Sequence, residues 1–196
     1  MTDIIRSARN DWKVQRKRSL ASVLLLQGVY RMKAKKIFIA VIGDQNSGKS
    51  TIIRALTGCK SGISRNRVEN RITGKWIQVI ASSPQEKRIS HSDLKRKMNE
   101  AATDPQSLGL VIALQPTYPT KRLSIVDVFE MAEEFSMRRH VFVISRPYSN
   151  KADRTEVAEI EKRLSRFHIE NPIQPVDARR FAHVNASAIR DIVGWF

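Results

Sequence analysis

Six consecutive apolar residues, Ile37 to Ile42, run directly into Gly43-Asp44-Gln45-Asn46-Ser47-Gly48-Lys49-Ser50 and then Thr51-Ile52-Ile53-Arg54-Ala55-Leu56-Thr57-Gly58. The apolar run has the length and β-branched content of a strand buried on both faces. The segment after it has the G-x-x-x-x-G-K-S spacing of a phosphate-binding loop. Ser50 to Leu56 reads as a helix, and Gly58 is its C-terminal stop. The order has a chemical logic. Glycines at positions 43 and 48 let the backbone curl so that successive N–H groups point inward at phosphate oxygens. The helix that follows brings its positive end and its unpaired N–H groups to the same place. Gly43 to Thr51 therefore form the candidate cradle, comprising Gly43, Asp44, Gln45, Asn46, Ser47, Gly48, Lys49, Ser50 and Thr51. Lys49 is expected to reach the β- and γ-phosphates as the catalytic cation, and the Ser50 hydroxyl to ligate Mg²⁺. The implied ligand is a nucleoside triphosphate or diphosphate.

A chain of 196 residues, 41% of them apolar, suffices for one well-buried domain and an appendage. No apolar run has the length of a transmembrane helix. Val23 to Leu26, the longest near the N-terminus, is too short for a signal peptide and is followed by lysines instead of a small-residue cleavage site. The single cysteine, Cys59, permits no intrachain disulfide, which suits a reducing cytoplasm. The formal charge of +16 is uneven: residues 1–36 hold ten Lys or Arg against two Asp, half of the excess. A basic arm of this kind binds nucleic acid or an acidic membrane surface, or serves only as a solvated tail. The expected organisation is an N-terminal arm over residues 1–35 and a nucleotide-binding domain over 36–196.

Downstream, Cys59 to Arg71 predicts a flexible loop beside the phosphate site. Arg67 to Ile72 and Trp76 to Ala81 predict an antiparallel hairpin turning at Thr73-Gly74. Ser90 with Asp93, and Ser124 with Asp127, are capping pairs that open helices with Leu94, Met98 and Ala101 on one apolar face and Ile125, Val128, Phe129 and Ala132 on another. Leu108 to Leu114 and His140 to Ser145 are further buried strands. A helix beginning at Asp153 carries Val157, Ile160, Leu164 and Phe167, and a strand near Phe181 to Asn185 precedes a last helix from Ser187. Strands alternating with helices predict a three-layer α/β fold, a mostly parallel sheet with helices on both faces and its site at the strands' C-terminal edge.

Asn46-Ser47-Gly48-Lys49-Ser50-Thr51 followed by Ala55-Leu56-Thr57-Gly58 resembles the opening of the GTPase-like branch of P-loop proteins, and the resemblance continues as topology over roughly Ile37 to Phe196. It implies GTP, or ATP, with Mg²⁺. In that branch the hairpin's second strand ends in D-x-P-G, whose Asp holds magnesium through water and whose Gly senses the γ-phosphate. With Ile80 in register, Ala81 stands for the Asp and Pro84 for the Gly. Neither can do the original work, since alanine holds no water and proline has no N–H. The resemblance thus implies binding with weak or absent hydrolysis. Its base-reading N-K-x-D is matched by Asn150-Lys151-Ala152-Asp153, with Asp153 accepting both guanine N–H groups; the same Asp153 equally reads as a helix N-cap paired with Glu156. Its last signature, Ser-Ala, is matched by Ser187-Ala188, where Ser187 equally reads as a cap.

Two alternatives remain. A nucleotide or nucleoside kinase shares the loop and the sheet and clamps phosphates with arginines, here Arg65, Arg67, Arg71 or Arg146. A non-catalytic nucleotide switch or assembly factor follows from the missing magnesium ligand: Glu86 is the only carboxylate close after the hairpin, and Gln115 ends the next strand where an acid is expected. His91, His140, His168 and His183 show no metal-ligand spacing, and Trp12, Trp76 and Trp195 form no aromatic platform.

Overall fold

The computed structural model describes residues 35–58, 67–116, 123–145, 152–177 and 180–194, without the side chains of 145, 152–155 and 174. The arm expected over residues 1–35 lies outside them except for Lys35. In chain order the elements are β1 (Ile37–Ile42), α1 (Lys49–Thr57), β2 (Arg67–Glu69), β3 (Trp76–Ile80), α2 (Pro84–Lys87), α3 (His91–Thr103), β4 (Ser107–Leu114), α4 (Ile125–Glu134), β5 (Arg138–Ser145), α5 (Ala152–Leu164), β6 (Gln174–Asp177) and α6 (Ala182–Val193). The strands form one six-stranded sheet in the order β2-β3-β4-β1-β5-β6. All neighbours pair in parallel except β2 with β3, which form the expected hairpin.

Strand β1 lies inside the sheet, between β4 and β5, and every one of its residues is buried. Its side chains alternate between two cores, as the pleat requires. Phe38, Ala40 and Ile42 pack with Leu94 and Met98 of α3, Phe129 of α4, and Ile160 and Leu164 of α5. Ile37, Ile39 and Val41 pack with Ile52, Ile53 and Leu56 of α1 and Ile189 and Val193 of α6. The ring of Phe38 meets that of Phe129 edge-on at 5.2 Å. Gly109 permits the close approach of β4 to β1: at φ +136°, a Cβ there would lie 1.9 Å from the Ile37 carbonyl oxygen.

The capping signals behave as their chemistry predicts. Ser90 accepts from the Asp93 N–H, and Ser124 and Asp127 form a reciprocal capping box. The hairpin strands are shorter than expected because Asn70 starts the turn early, its side-chain oxygen accepting from the N–H groups of Ile72 and Thr73. A larger correction concerns the C-terminal region. The last strand is Gln174–Asp177, not Phe181 to Asn185, and the last helix starts at Ala182, not Ser187. As an edge strand paired only with β5, β6 tolerates Pro175. The apolar residues beyond Phe181 follow a helical period instead, with Asn185, Ala186, Ile189 and Val193 buried. Arg190 of α6 closes the far end of α1, donating through Nε and Nη2 to the Leu56 carbonyl at 3.1 and 2.7 Å and through Nη2 to that of Ala55 at 2.8 Å. A cation at these last-turn carbonyls also complements the helix dipole.

His140 departs from the other histidines, which are exposed; it is buried in β5. Asn171 donates through Nδ2 to the Val141 and Pro172 carbonyls, so its Oδ1 faces His140 Nδ1 at 3.2 Å. The proton therefore sits on Nδ1, and Nε2 is buried without a partner. Burial is the main cause holding this imidazole below its ordinary value of 6.5.

Two predictions follow from this packing. Arg190→Ala is expected to destabilise the domain by about 1.5–3 kcal/mol in urea denaturation, with Arg190→Lys recovering only part because an ammonium lacks the fork. For His140, the unfolded chain takes up a proton that the folded state refuses. Stability is thus full above the unfolded value and falls as pH drops through the window below 6.5. The wild type should lose up to about 1.4 kcal/mol per pH unit more than His140→Phe between pH 6.5 and 5.5, measured by thermal melts at each pH.

Candidate functional site

The chain leaves β1 at its C-terminal end, and the Gly43 N–H donates to the Leu114 carbonyl at 3.1 Å, tying the start of the loop to the end of β4. A Cβ at Gly43 would lie 2.7 Å from Ser47 Oγ and 3.2 Å from Ile144 Cβ, so any side chain here would displace Ser47 and press on β5. The loop then tightens: the Ser47 N–H donates to the Asp44 carbonyl at 3.2 Å, and Asn46 adopts a left-handed φ of 61°. Gly48 occupies the N-cap of α1 at φ 92°, with no side-chain cap, and the first turn holds no acidic residue. The positive end of the helix is therefore directed into the loop without a neutralising side chain.

Lys49 folds over this loop. It is only 4% exposed, and its Nζ donates to the Gly43 carbonyl at 2.8 Å and to that of Asp44. Burial holds its ammonium below the usual lysine value, and the neighbouring Glu86 carboxylate opposes that shift. Ser50 Oγ donates to the Ala81 carbonyl at 2.6 Å. That bond turns the hydroxyl proton toward β3 and leaves the oxygen lone pairs available to a cation. The hydroxyl and the carbonyl are hard oxygen donors of the kind Mg²⁺ takes, so the residues present fit that ion. Of the remaining loop residues, Asp44 and Ser47 are half-buried, whereas Gln45, Asn46 and Thr51 are exposed. Ser47 Oγ is buried with no hydrogen-bond partner.

Ile80 ends β3, and Ala81 follows it beside Ser50. Pro84 opens the short helix α2 at its first position, where a missing N–H is harmless, and Ser83 caps it. The Ser-Pro pair is the sequence signal by which α2 was detectable. Within this turn Ser83 Oγ donates to Gln85 Oε1 at 2.5 Å, while Glu86 extends outward and accepts from Gln115 Nε2 at 2.7 Å. Gln115 is 5% exposed, immediately beyond β4. Sequence reasoning noted both residues as single deficiencies and had no means of pairing them across 29 positions.

Asn150 and Lys151 lie outside the described residues. Asp153 falls inside the first turn of α5, which begins at Ala152, so Asp153 is not the N-cap. Ser187 and Ala188 are exposed within α6, more than a turn past its start, and not in a loop ahead of it. Ser187 lines a separate cavity of about 550 Å³ with Leu56, Thr57, Asn70 and Arg190. Of the candidate phosphate clamps, Arg65 and Arg146 lie outside the described residues. Arg67 stacks on the Trp76 ring at 4.0 Å. Arg71 is in the hairpin turn, at the N-terminal end of β3 and the opposite edge from the loop. Among the described residues no three His, Cys, Asp or Glu side chains gather as a metal site, and no helix is long and apolar enough to cross a membrane.

A solved protein shares this fold. A probable GTP-binding protein EngB superposes with a TM-score of 0.50 at 16% identity, covering 80% of this chain and 96% of its own. A GTP-binding protein from the hyperthermophilic archaeon Sulfolobus solfataricus, in complex with GDP, matches at TM-score 0.43 and 19% identity, over 97% of this chain and 60% of its own. The APS kinase CysC of Mycobacterium tuberculosis, in complex with AMPPNP and APS, matches at TM-score 0.42 and 13% identity, over 82% and 98%. At such identities the likeness is one of fold, a mostly parallel α/β sheet with helices on both faces. No family model matches the chain, and no curated protein matches it in sequence.

Proposed function

We propose that this protein binds a nucleoside triphosphate with Mg²⁺ at Gly43 to Thr51, and that it is a GTPase-like GTP-binding protein with weak or absent intrinsic hydrolysis. The observation that carries the reading is the joint placement of an uncapped helix N-terminus, the buried Lys49 ammonium and the Ser50 hydroxyl around one tight loop. Phosphate oxygens would replace the Gly43 and Asp44 carbonyls as acceptors for Lys49, returning a charge partner to a cation that burial disfavours. Ser50 would hold Mg²⁺, which supplies neutralisation of the phosphate charge when bound.

Weak hydrolysis follows from chemistry at two positions. Ala81 offers a carbonyl where the GTPase-like motif has a carboxylate, and Pro84 has no N–H to report the γ-phosphate. The preference for guanine rests on Asn150-Lys151-Ala152-Asp153. The kinase alternative is weakened by the loss of two clamp candidates, Arg67 to Trp76 and Arg71 to the opposite edge of the sheet.

Thermal melts with GTP, ATP and their diphosphates, each with Mg²⁺, test these statements together. GTP at a hundredfold over its dissociation constant should add about 2.7 kcal/mol, roughly 5–11 °C for a domain of this size. Lys49→Ala should remove most of that shift while melting close to wild type without ligand. Equal shifts with ATP would defeat the guanine assignment alone. A wild-type protein unmoved by every nucleotide would defeat the whole reading.

A further inference from the structure

We propose that Glu86, held in place by Gln115, is the carboxylate that carries the water shell of Mg²⁺ at this site, in place of the acid missing at Ala81; this rests on the nucleotide–magnesium reading above. The local sequence would direct Glu86 elsewhere. Ser83-Pro84-Gln85-Glu86 has the S-x-x-E spacing of a capping box, in which the glutamate turns back to the N-cap N–H. Only half of that box forms: Ser83 Oγ accepts from the Glu86 N–H, and the Glu86 side chain accepts from Gln115. A tertiary partner has displaced the local one.

That partner sits where it can define a site. Gln115 follows the last residue of β4, and β4 pairs with both β1 and β3, so Gln115 lies between the strand that leads into the glycine-bounded loop and the strand that ends at Ile80, just before Ala81. A carboxylate only accepts hydrogen bonds, so the Gln115 amide must present its NH₂ to Glu86. The 2.7 Å bond engages Glu86 Oε1 and leaves Oε2 for another donor. Gln115 Oε1, turned away by the same constraint, is buried with no partner. The pair thus offers acceptors. Water bound to a metal ion has committed its lone pair to the metal and can only donate, which is the complement of these oxygens. Glu86 also lies close enough to Lys49 for its charge to act on that ammonium. A single carboxylate with a hydroxyl, waters and substrate phosphates is an ordinary Mg²⁺ environment.

The test is the dissociation constant of a fluorescent, non-hydrolysable GTP analogue, measured in EDTA and in Mg²⁺. The proteins compared are the full-length wild type, Glu86→Gln, Gln115→Leu, Asp44→Asn and the distant surface variant Glu100→Gln, each with its melting temperature. The wild type and Glu100→Gln should bind more tightly with Mg²⁺. Glu86→Gln should lose about 10–100-fold of that tightening, as for outer-shell metal partners generally, without weaker binding in EDTA. Gln115→Leu should lose part of it, which guards against a fold defect peculiar to one variant. The inference is overturned if Glu86→Gln keeps the full magnesium effect, or if only Asp44→Asn loses it. A wild type that binds the analogue in neither condition rejects the nucleotide reading along with it, whereas a wild type that binds with an unaltered Glu86→Gln rejects the role of Glu86 alone.

Discussion

The burial of β1 between β4 and β5 is the constraint from which the rest of the molecule follows. Its six side chains alternate between two cores, and burial of its isoleucine, valine and phenylalanine side chains contributes about 1.5–3 kcal/mol each. That anchorage supports the unfavourable features just beyond it: a left-handed Asn46, a glycine packed against Ile144, and a lysine almost removed from solvent. A weaker strand would let the loop relax. The bond from the Gly43 N–H to the Leu114 carbonyl transmits the register of the sheet directly into the loop.

Charge is distributed with the same economy. Lys49 is buried against carbonyl oxygens and feels one nearby carboxylate, that of Glu86. The helix behind it contributes positive potential from its uncapped N-terminus, and at its other end Arg190 supplies the complementary cation. Along α1, then, the anion-seeking end faces the loop and the carbonyl end is satisfied within the protein. The site lies at the C-terminal edge of the parallel strands, where α/β sheets place their ligands. The hairpin turn with Arg71 lies at the other edge, which is why a chain rich in arginine leaves this one remote from the phosphate loop.

Local signals in the chain were legible wherever the physics is local. Ser90 and Ser124 cap the helices their spacing announces, Gly58 ends α1 in a left-handed turn, and the all-apolar runs at β1 and β4 are buried strands. The failures occur where a short segment satisfies two periods at once. Phe181 to Asn185 reads as a short strand, yet Ala186, Ile189 and Val193 continue a helical stripe that packs in the same core as α1. The edge position of β6 lets a proline enter a strand, which no propensity favours.

The sequence by itself determined a glycine-bounded loop between a buried strand and a helix, the α/β class, and the absence of an acid at Ala81, because each depends on residue type and spacing along a few turns of chain. Only the tertiary structure decided that β4 separates β1 from β3, that Ser187 lies on a helix instead of over the loop, and that Gln115 captures Glu86 from its own cap. These outcomes depend on which strand lies beside which, and strand order is set by the packing of two cores that no local pattern encodes.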